Sequence, residues 1–204
     1  MKQTKLRPAL VVILAGVAFL AFSGYALAQQ IDVAVGISTM TATSAIDASG
    51  NHAPQSLTGG VYPSFSADFM FFKNFGLQGE LAWKGGRGEW GGTQPFRPFF
   101  YDVNALYQPR LAKRTYLELL AGIGAQSTRF YTPNQVCNQI SCQNFVSVNH
   151  FMGHLGAGIK AYPFGEHFFV RPEAHLYLVH DNQEFSSDRA VRYGLSVGYT
   201  FGGR

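Results

Sequence analysis

The side chains most able to do chemistry lie in the second half of the chain. His180-Asp181-Asn182, with Glu184 and Ser186-Ser187 close behind, contains the parts of a hydrolytic site. Such a site needs a nucleophile, a base and an orienting acid within hydrogen-bond reach. No serine here shares a strand edge with a histidine, so no catalytic residue is assigned and the chain is read as not an enzyme. His150 and His154 share a face, but four residues of strand separate them by roughly 13 Å at ~3.3 Å per residue. One metal ion could not bridge them unless a third strand contributed. His175, with Glu173 and Arg171, repeats the spacing, and interior hydrogen bonding is the expectation for all of them, with no metal and no cofactor. Gly86-Arg87-Gly88-Glu89-Trp90-Gly91 matches G-x-G-x-x-G. A dinucleotide site also requires a helix directly afterwards. Gly92-Thr93-Gln94-Pro95 continues the loop instead, which makes this a surface loop.

The remaining charges follow the backbone pattern. Val191, Tyr193, Leu195, Val197, Tyr199 and Phe201 alternate with Arg192, Gly194, Ser196, Gly198 and Thr200. In a strand this gives one apolar face and one small or polar face. Seven more stretches repeat the pattern. Ile31 to Ser38 comes first, then Gly60 to Phe72 and Phe75 to Lys84. Phe99 to Tyr107, Tyr116 to Gln126, His150 to Ala161 and Phe168 to Leu178 follow. Asp68, Glu80, Asp102, Glu118, Lys160, Arg171, Glu173 and Arg192 all fall on polar faces. If those faces line one narrow interior, unpaired charge would be costly, and the eight residues should form a paired network.

The connections alternate in length. Thr41 to Ser56, Gly85 to Pro98, the cysteine-containing stretch near Thr132 to Asn144, and Asp181 to Asp188 are long. Lys73-Asn74, Pro109 to Arg114 and Pro163 to His167 are short. Alternating short turns and long loops on an even number of strands is the pattern of a membrane barrel. Each strand reaches the ~9–11 residues that cross a bilayer at a tilt. The sheet must close, because an open edge in lipid leaves backbone groups unpaired. The competing reading is an exported soluble barrel with the apolar faces turned inward around an apolar ligand. Phe71, Phe72, Phe75, Phe164, Phe168 and Phe169, near the short turns, read as an aromatic girdle.

The first 28 of the 204 residues read as an export signal. Lys2, Lys5 and Arg7 precede the uncharged, mostly apolar run Pro8 to Phe22, and Ala26-Leu27-Ala28 supplies a cleavage pattern. Residues 29–204 are then one mature domain. Without those three basic residues the 16 Lys+Arg fall to 13 against 12 Asp+Glu, so no nucleic-acid partner is implied. Cys137 and Cys142, the only cysteines, read as a disulfide in an exported protein.

The leader, the eight amphipathic strands and the terminal Tyr193-Gly194-Leu195-Ser196-Val197-Gly198-Tyr199-Thr200-Phe201 resemble the small outer-membrane β-barrel family of OmpA/OmpX type. The resemblance covers essentially the whole mature chain. It implies an all-β, eight-stranded, antiparallel up-and-down barrel in the bacterial outer membrane of a Gram-negative cell, with both termini periplasmic. It also implies a terminal aromatic read by the barrel-assembly machinery; Phe201 fits, and Gly202-Gly203-Arg204 extends past it. The expected partners are outer-membrane lipids including lipopolysaccharide, and the expected state is a monomer. The expected role is structural or surface-interactive through the loops, with the lumen plugged by charge. The alternatives are a narrow channel for ions or small solutes and a lipid A-modifying enzyme.

Overall fold

Side chains that alternate between two environments at every step call for a wall with a different medium on each side, and the chain builds one. The computed structural model describes residues 30–137 and 142–202; the export signal read in residues 1–28 lies outside them. In chain order the strands are β1 (Gln30–Ala42), β2 (Tyr62–Met70), β3 (Phe75–Trp83), β4 (Gly88–Trp90) and β5 (Gln94–Tyr107). Then come β6 (Arg110–Ala112), β7 (Thr115–Cys137), β8 (Cys142–Phe164), β9 (Phe168–Val179) and β10 (Arg189–Phe201). The three-residue β4 and β6 lie on β5 and β7. The other eight form a closed antiparallel ring in the order β1-β2-β3-β5-β7-β8-β9-β10. The seam is β1 against β10, in register from Ile31 opposite Phe201 to Ala42 opposite Ala190. The one helical turn among the described residues is the 3-10 segment Ala45–Asp47.

The apolar faces point outward. Val35, Ile37, Phe65, Val103, Ile123, Phe151 and Val197 are exposed, whereas Asp32, Ser66, Asp68, Gln78, Asn104 and Ser196 are buried. Exposing one large apolar side chain to water costs about 1.5–3 kcal/mol relative to burying it. A wall of them is the inverse of a soluble barrel, which overturns the reading with an apolar interior. Period-two alternation also corrects the girdle: Phe71, Phe72, Phe75, Phe164 and Phe168 are exposed, but Phe169 follows Phe168 and is buried inside.

Two stretches expected as loops are strands. β7 and β8 run on to Cys137 and back from Cys142, 23 residues each, as a ribbon that leaves the ring. Thr132, Asn134 and Gln143 hide this, because a ribbon with the same medium on both faces needs no alternation. β5 begins at Gln94, ahead of Phe99, despite Pro95 and Pro98. β3 stops pairing at Trp83 opposite Phe99 and β4 starts at Gly88 opposite Phe96, so Pro98 falls in the gap between the two neighbours on that side. There its carbonyl accepts from Lys84 N, just past the end of β3, and a strand tolerates proline at such a break in the ladder.

The ring's seam is close at Gly36, Gly194 and Gly198. Gly194 stands opposite Ser38, and a Cβ there would press on Ser38 and the Ile37 carbonyl. Gly194→Val should therefore destabilise the closed barrel by about 1–3 kcal/mol, as overpacking does. The check is the denaturant midpoint of heat-modifiable gel mobility. An unchanged midpoint would show that the seam has slack.

Candidate functional site

Among the described residues, eleven acidic, basic and imidazole side chains are buried inside the ring: Asp32, Asp68, Glu80, Asp102, Glu118, Glu173, Lys160, Arg171, Arg192, His154 and His175. Their positions follow from the alternation, since each sits one residue from an outward apolar neighbour. In an eight-membered ring, strands four places apart face one another. Lys160 on β8 lies 3.4 Å from Asp68 on facing β2 and 2.8 Å from Asp32 on β1, and it also pairs with Glu118. Arg171 on β9 reaches Asp68 at 3.3 Å, Glu118 at 2.9 Å and Glu173 at 2.7 Å, and it donates to Ser66 and Ser196. Gly158 leaves room for it, because a Cβ there would meet the Arg171 side chain. Gln108 donates to Glu118 at 2.6 Å.

A second cluster lies nearer the long-loop end. Arg192 on β10 pairs with Glu80 on β3. His175 on β9 is 3.5 Å from Glu80 on the facing strand and 3.6 Å from Glu173, which joins the two clusters. His154 contacts His175 at 2.9 Å, Asn104 at 2.7 Å and Asp102 at 3.3 Å. Tyr177 stacks on both imidazoles and on Phe100.

Beyond this level an apolar cluster of Leu57, Tyr62, Phe96, Phe100, Phe130 and Phe185 fills the long-loop end. The loops are tied over it. Ala53 N donates to Gln183 O, Ser186 N to Gln55 O, Ser186 Oγ to Thr43 O, and Trp90 Nε1 to Glu184 O. Half-buried Lys84 sits with its ammonium 5.2 Å from the centre of the Phe96 ring, and burial pushes it below the ordinary lysine value. At the short-turn end a cavity of about 600 Å³ opens between Gln30, Met70, Lys73, Gln108, Arg114 and Glu166.

The eight charges expected inside, Asp68, Glu80, Asp102, Glu118, Lys160, Arg171, Glu173 and Arg192, are all buried there. Asp32, His154 and His175 belong with them. Asp32 carried the signal in its own alternation with Ile31 and Val33. The hydrolytic parts are scattered. His150 pairs with Glu184 at 2.7 Å, Ser186 spends its proton on Thr43 O, and among the described residues neither Ser186 nor Ser187 is hydrogen-bonded to a histidine. The glycine-rich loop holds the β4 ribbon where a nucleotide site would need a helix. Trp90, expected at the surface, packs edge-on against Phe130 at 5.6 Å. Cys137 and Cys142 are directly opposed across the β7–β8 ribbon.

No family model matches the sequence, and no curated protein does. Solved structures do match in shape. Neisserial surface protein A superposes with a TM-score of 0.59 at 10% identity, over 85% of this chain and 97% of that one. Ail, the attachment invasion locus protein of Yersinia pestis, solved with the heparin analogue sucrose octasulfate, gives 0.56 at 16%, over 85% and 99%. A major outer membrane protein from Thermus thermophilus gives 0.56 at 12%, over 85% and 99%. The chain has the fold of the small outer-membrane barrels.

Three buried carboxylates converge on Arg171, as three do on Lys160. Breaking such a network from one side costs about 3–5 kcal/mol. Arg171→Met should lower the unfolding free energy by that amount in urea, and adding Glu118→Gln should restore part of it. Additive losses in the double variant would show that the two groups are not coupled.

Proposed function

We propose that this chain is an outer-membrane β-barrel of a Gram-negative bacterium that acts as a rigid, non-conducting platform for surface interaction through its long loops. The leader in residues 1–28 would be cleaved, both ends of the mature chain would lie in the periplasm, and the barrel would work as a monomer inserted by the barrel-assembly machinery. The observation that carries this reading is the filled interior. Lys160 bridges to Asp68 and His175 approaches Glu80 from the facing wall, and the loops are hydrogen-bonded together over an apolar cap. A barrel of eight strands is just wide enough for side chains to fill. Loops held by such a scaffold are where interaction surfaces are found. The opposed Cys137 and Cys142 would close a disulfide at the tip of the ribbon, seen as a gain of two hydrogen masses on reduction.

The outer rim supplies a lipid partner. Arg97 and Arg129 are directly opposed on neighbouring strands, on the outward face, with Arg129 between Phe99 and Phe145 and Arg87 over Tyr131. Like charges in that position repel unless an anion lies between them. None of the three is ion-paired among the described residues. Phosphate groups of lipopolysaccharide would satisfy them, and the sulfated ligand in the Ail structure has the same sign.

In planar bilayers the purified barrel should show no single-channel steps, and lipid A from expressing cells should keep its mass spectrum. Regular conductance steps would replace this reading with the narrow channel, and a shifted lipid A mass would replace it with the enzyme. Lipopolysaccharide should raise the thermal midpoint of the barrel in detergent, and R97Q/R129Q should remove that rise. An equal rise in the variant would show that these arginines do not meet the phosphates.

A further inference from the structure

We propose that the barrel interior holds one divalent transition-metal ion, ligated by His154 Nε2, His175 Nδ1 and the Glu80 Oε2 carboxylate oxygen. These residues come from β8, its neighbour β9, and β3, the strand facing β9 across the ring. This is the third-strand contribution that the spacing of His150 and His154 alone could not supply. The inference rests on the interior geometry and not on the proposed location or partner.

The distances fit an ion. Zinc binds imidazole nitrogen at about 2.0–2.1 Å and carboxylate oxygen at about 2.0–2.2 Å, so tetrahedral ligand atoms stand about 3.3 Å apart. Here His154 Nε2 is 2.9 Å from His175 Nδ1, His175 Nδ1 is 3.5 Å from Glu80 Oε2, and all three atoms lie within 4.8 Å of one another. Two imidazoles and one carboxylate suit zinc, copper or nickel better than calcium or magnesium.

The surrounding groups prepare the ligands. The Asn104 amide nitrogen donates to Asp102 Oδ1 at 2.6 Å, so the Asn104 oxygen is the atom that faces His154 Nδ1 at 2.7 Å. That fixes the proton on Nδ1 and leaves Nε2 bare. His175 Nε2 is buried with no hydrogen-bond partner, the Glu173 carboxylate standing 3.6 Å away, so His175 Nδ1 has two states open to it: it donates its proton to the bare His154 Nε2, or it is bare as well and turns to a cation. In the second state two bare nitrogens stand 2.9 Å apart, which a cation between them relieves. Ligating histidines hold their other nitrogen against a carboxylate or carbonyl, as His154 does with Asn104. Arg192 engages Glu80 Oε1, whereas Glu80 Oε2 is buried with no hydrogen-bond partner.

Charge points the same way. The buried set has six carboxylates, Asp32, Asp68, Glu80, Asp102, Glu118 and Glu173, against the three fixed cations Lys160, Arg171 and Arg192. Positive charge is short, and His154 and His175 stand where it would be added. The alternative cation is a proton shared by the two imidazoles. Because all three ligands are buried, an ion would be taken up as the barrel closes.

The test is to refold the chain in chelator-treated buffer with zinc or cobalt(II), remove free metal, and count ions by mass spectrometry. The expected result is one ion per chain, with His154→Gln and His175→Gln weakening binding by more than about 100-fold. Asn104→Ala should weaken it by about 10–100-fold, the range for an outer-shell partner. His150→Gln and His180→Gln should bind like the parent. Heat-modifiable mobility reports whether each variant folds. The parent loaded with cobalt(II) needs no variant: visible absorption typical of low-coordinate cobalt with nitrogen ligands supports the site. No retained ion in the refolded parent, or full retention in folded H154Q and H175Q, would overturn the site in favour of the shared proton.

Discussion

A charge removed from water must find a partner, and the interior of this barrel is arranged around that requirement. Arg171 holds Asp68, Glu118 and Glu173 at once, and Lys160 holds Asp32, Asp68 and Glu118. Because the partners sit on strands from different parts of the ring, the pairs also fix its diameter. Hydrophobic collapse does little of this work around the charges, since most large apolar strand side chains face outward and the buried ones gather in separate clusters. The filling around these charges is polar where a soluble protein would be oily, and its stability depends on each pair being complete.

Closure is the second constraint, and it serves the first. The β1–β10 seam brings Asp32 on the first strand to within 2.8 Å of Lys160, which lies 128 positions away. Without the seam the two walls would not face each other, and their charges would be stranded. The apolar cap at the long-loop end, with Phe185 from the last loop and Leu57 from the first, shields that end of the network.

The wall was legible because it separates two media, and period two in Val191 to Phe201 or Phe65 to Phe71 records that separation residue by residue. The inward direction of the eight strand charges followed from the same rule. Their partners did not, since Lys160 and Asp68 are 92 positions apart and meet only through the closed ring. The same reason hid the convergence of Glu80, His154 and His175, because spacing along one strand says nothing about the strand opposite. The ribbon between Tyr131 and Phe145 was missed for a different cause: once a hairpin leaves the wall, the alternation that marks a strand has no reason to persist.

That ribbon has a mechanical consequence. A crossing strand needs about 9–11 residues, whereas β7 and β8 have 23 each. β7 still pairs with β5 as far as Phe130, so at about 3.3 Å per residue Tyr131 to Cys137 makes an arm of roughly 23 Å measured along the strand. An arm clamped at its root is a lever, and here the root carries Phe130 on β7, packed against Trp90 and Phe96. A sideways pull at the Cys137–Cys142 tip becomes a torque on that aromatic cluster, so a load applied far out would be borne first by the apolar cap.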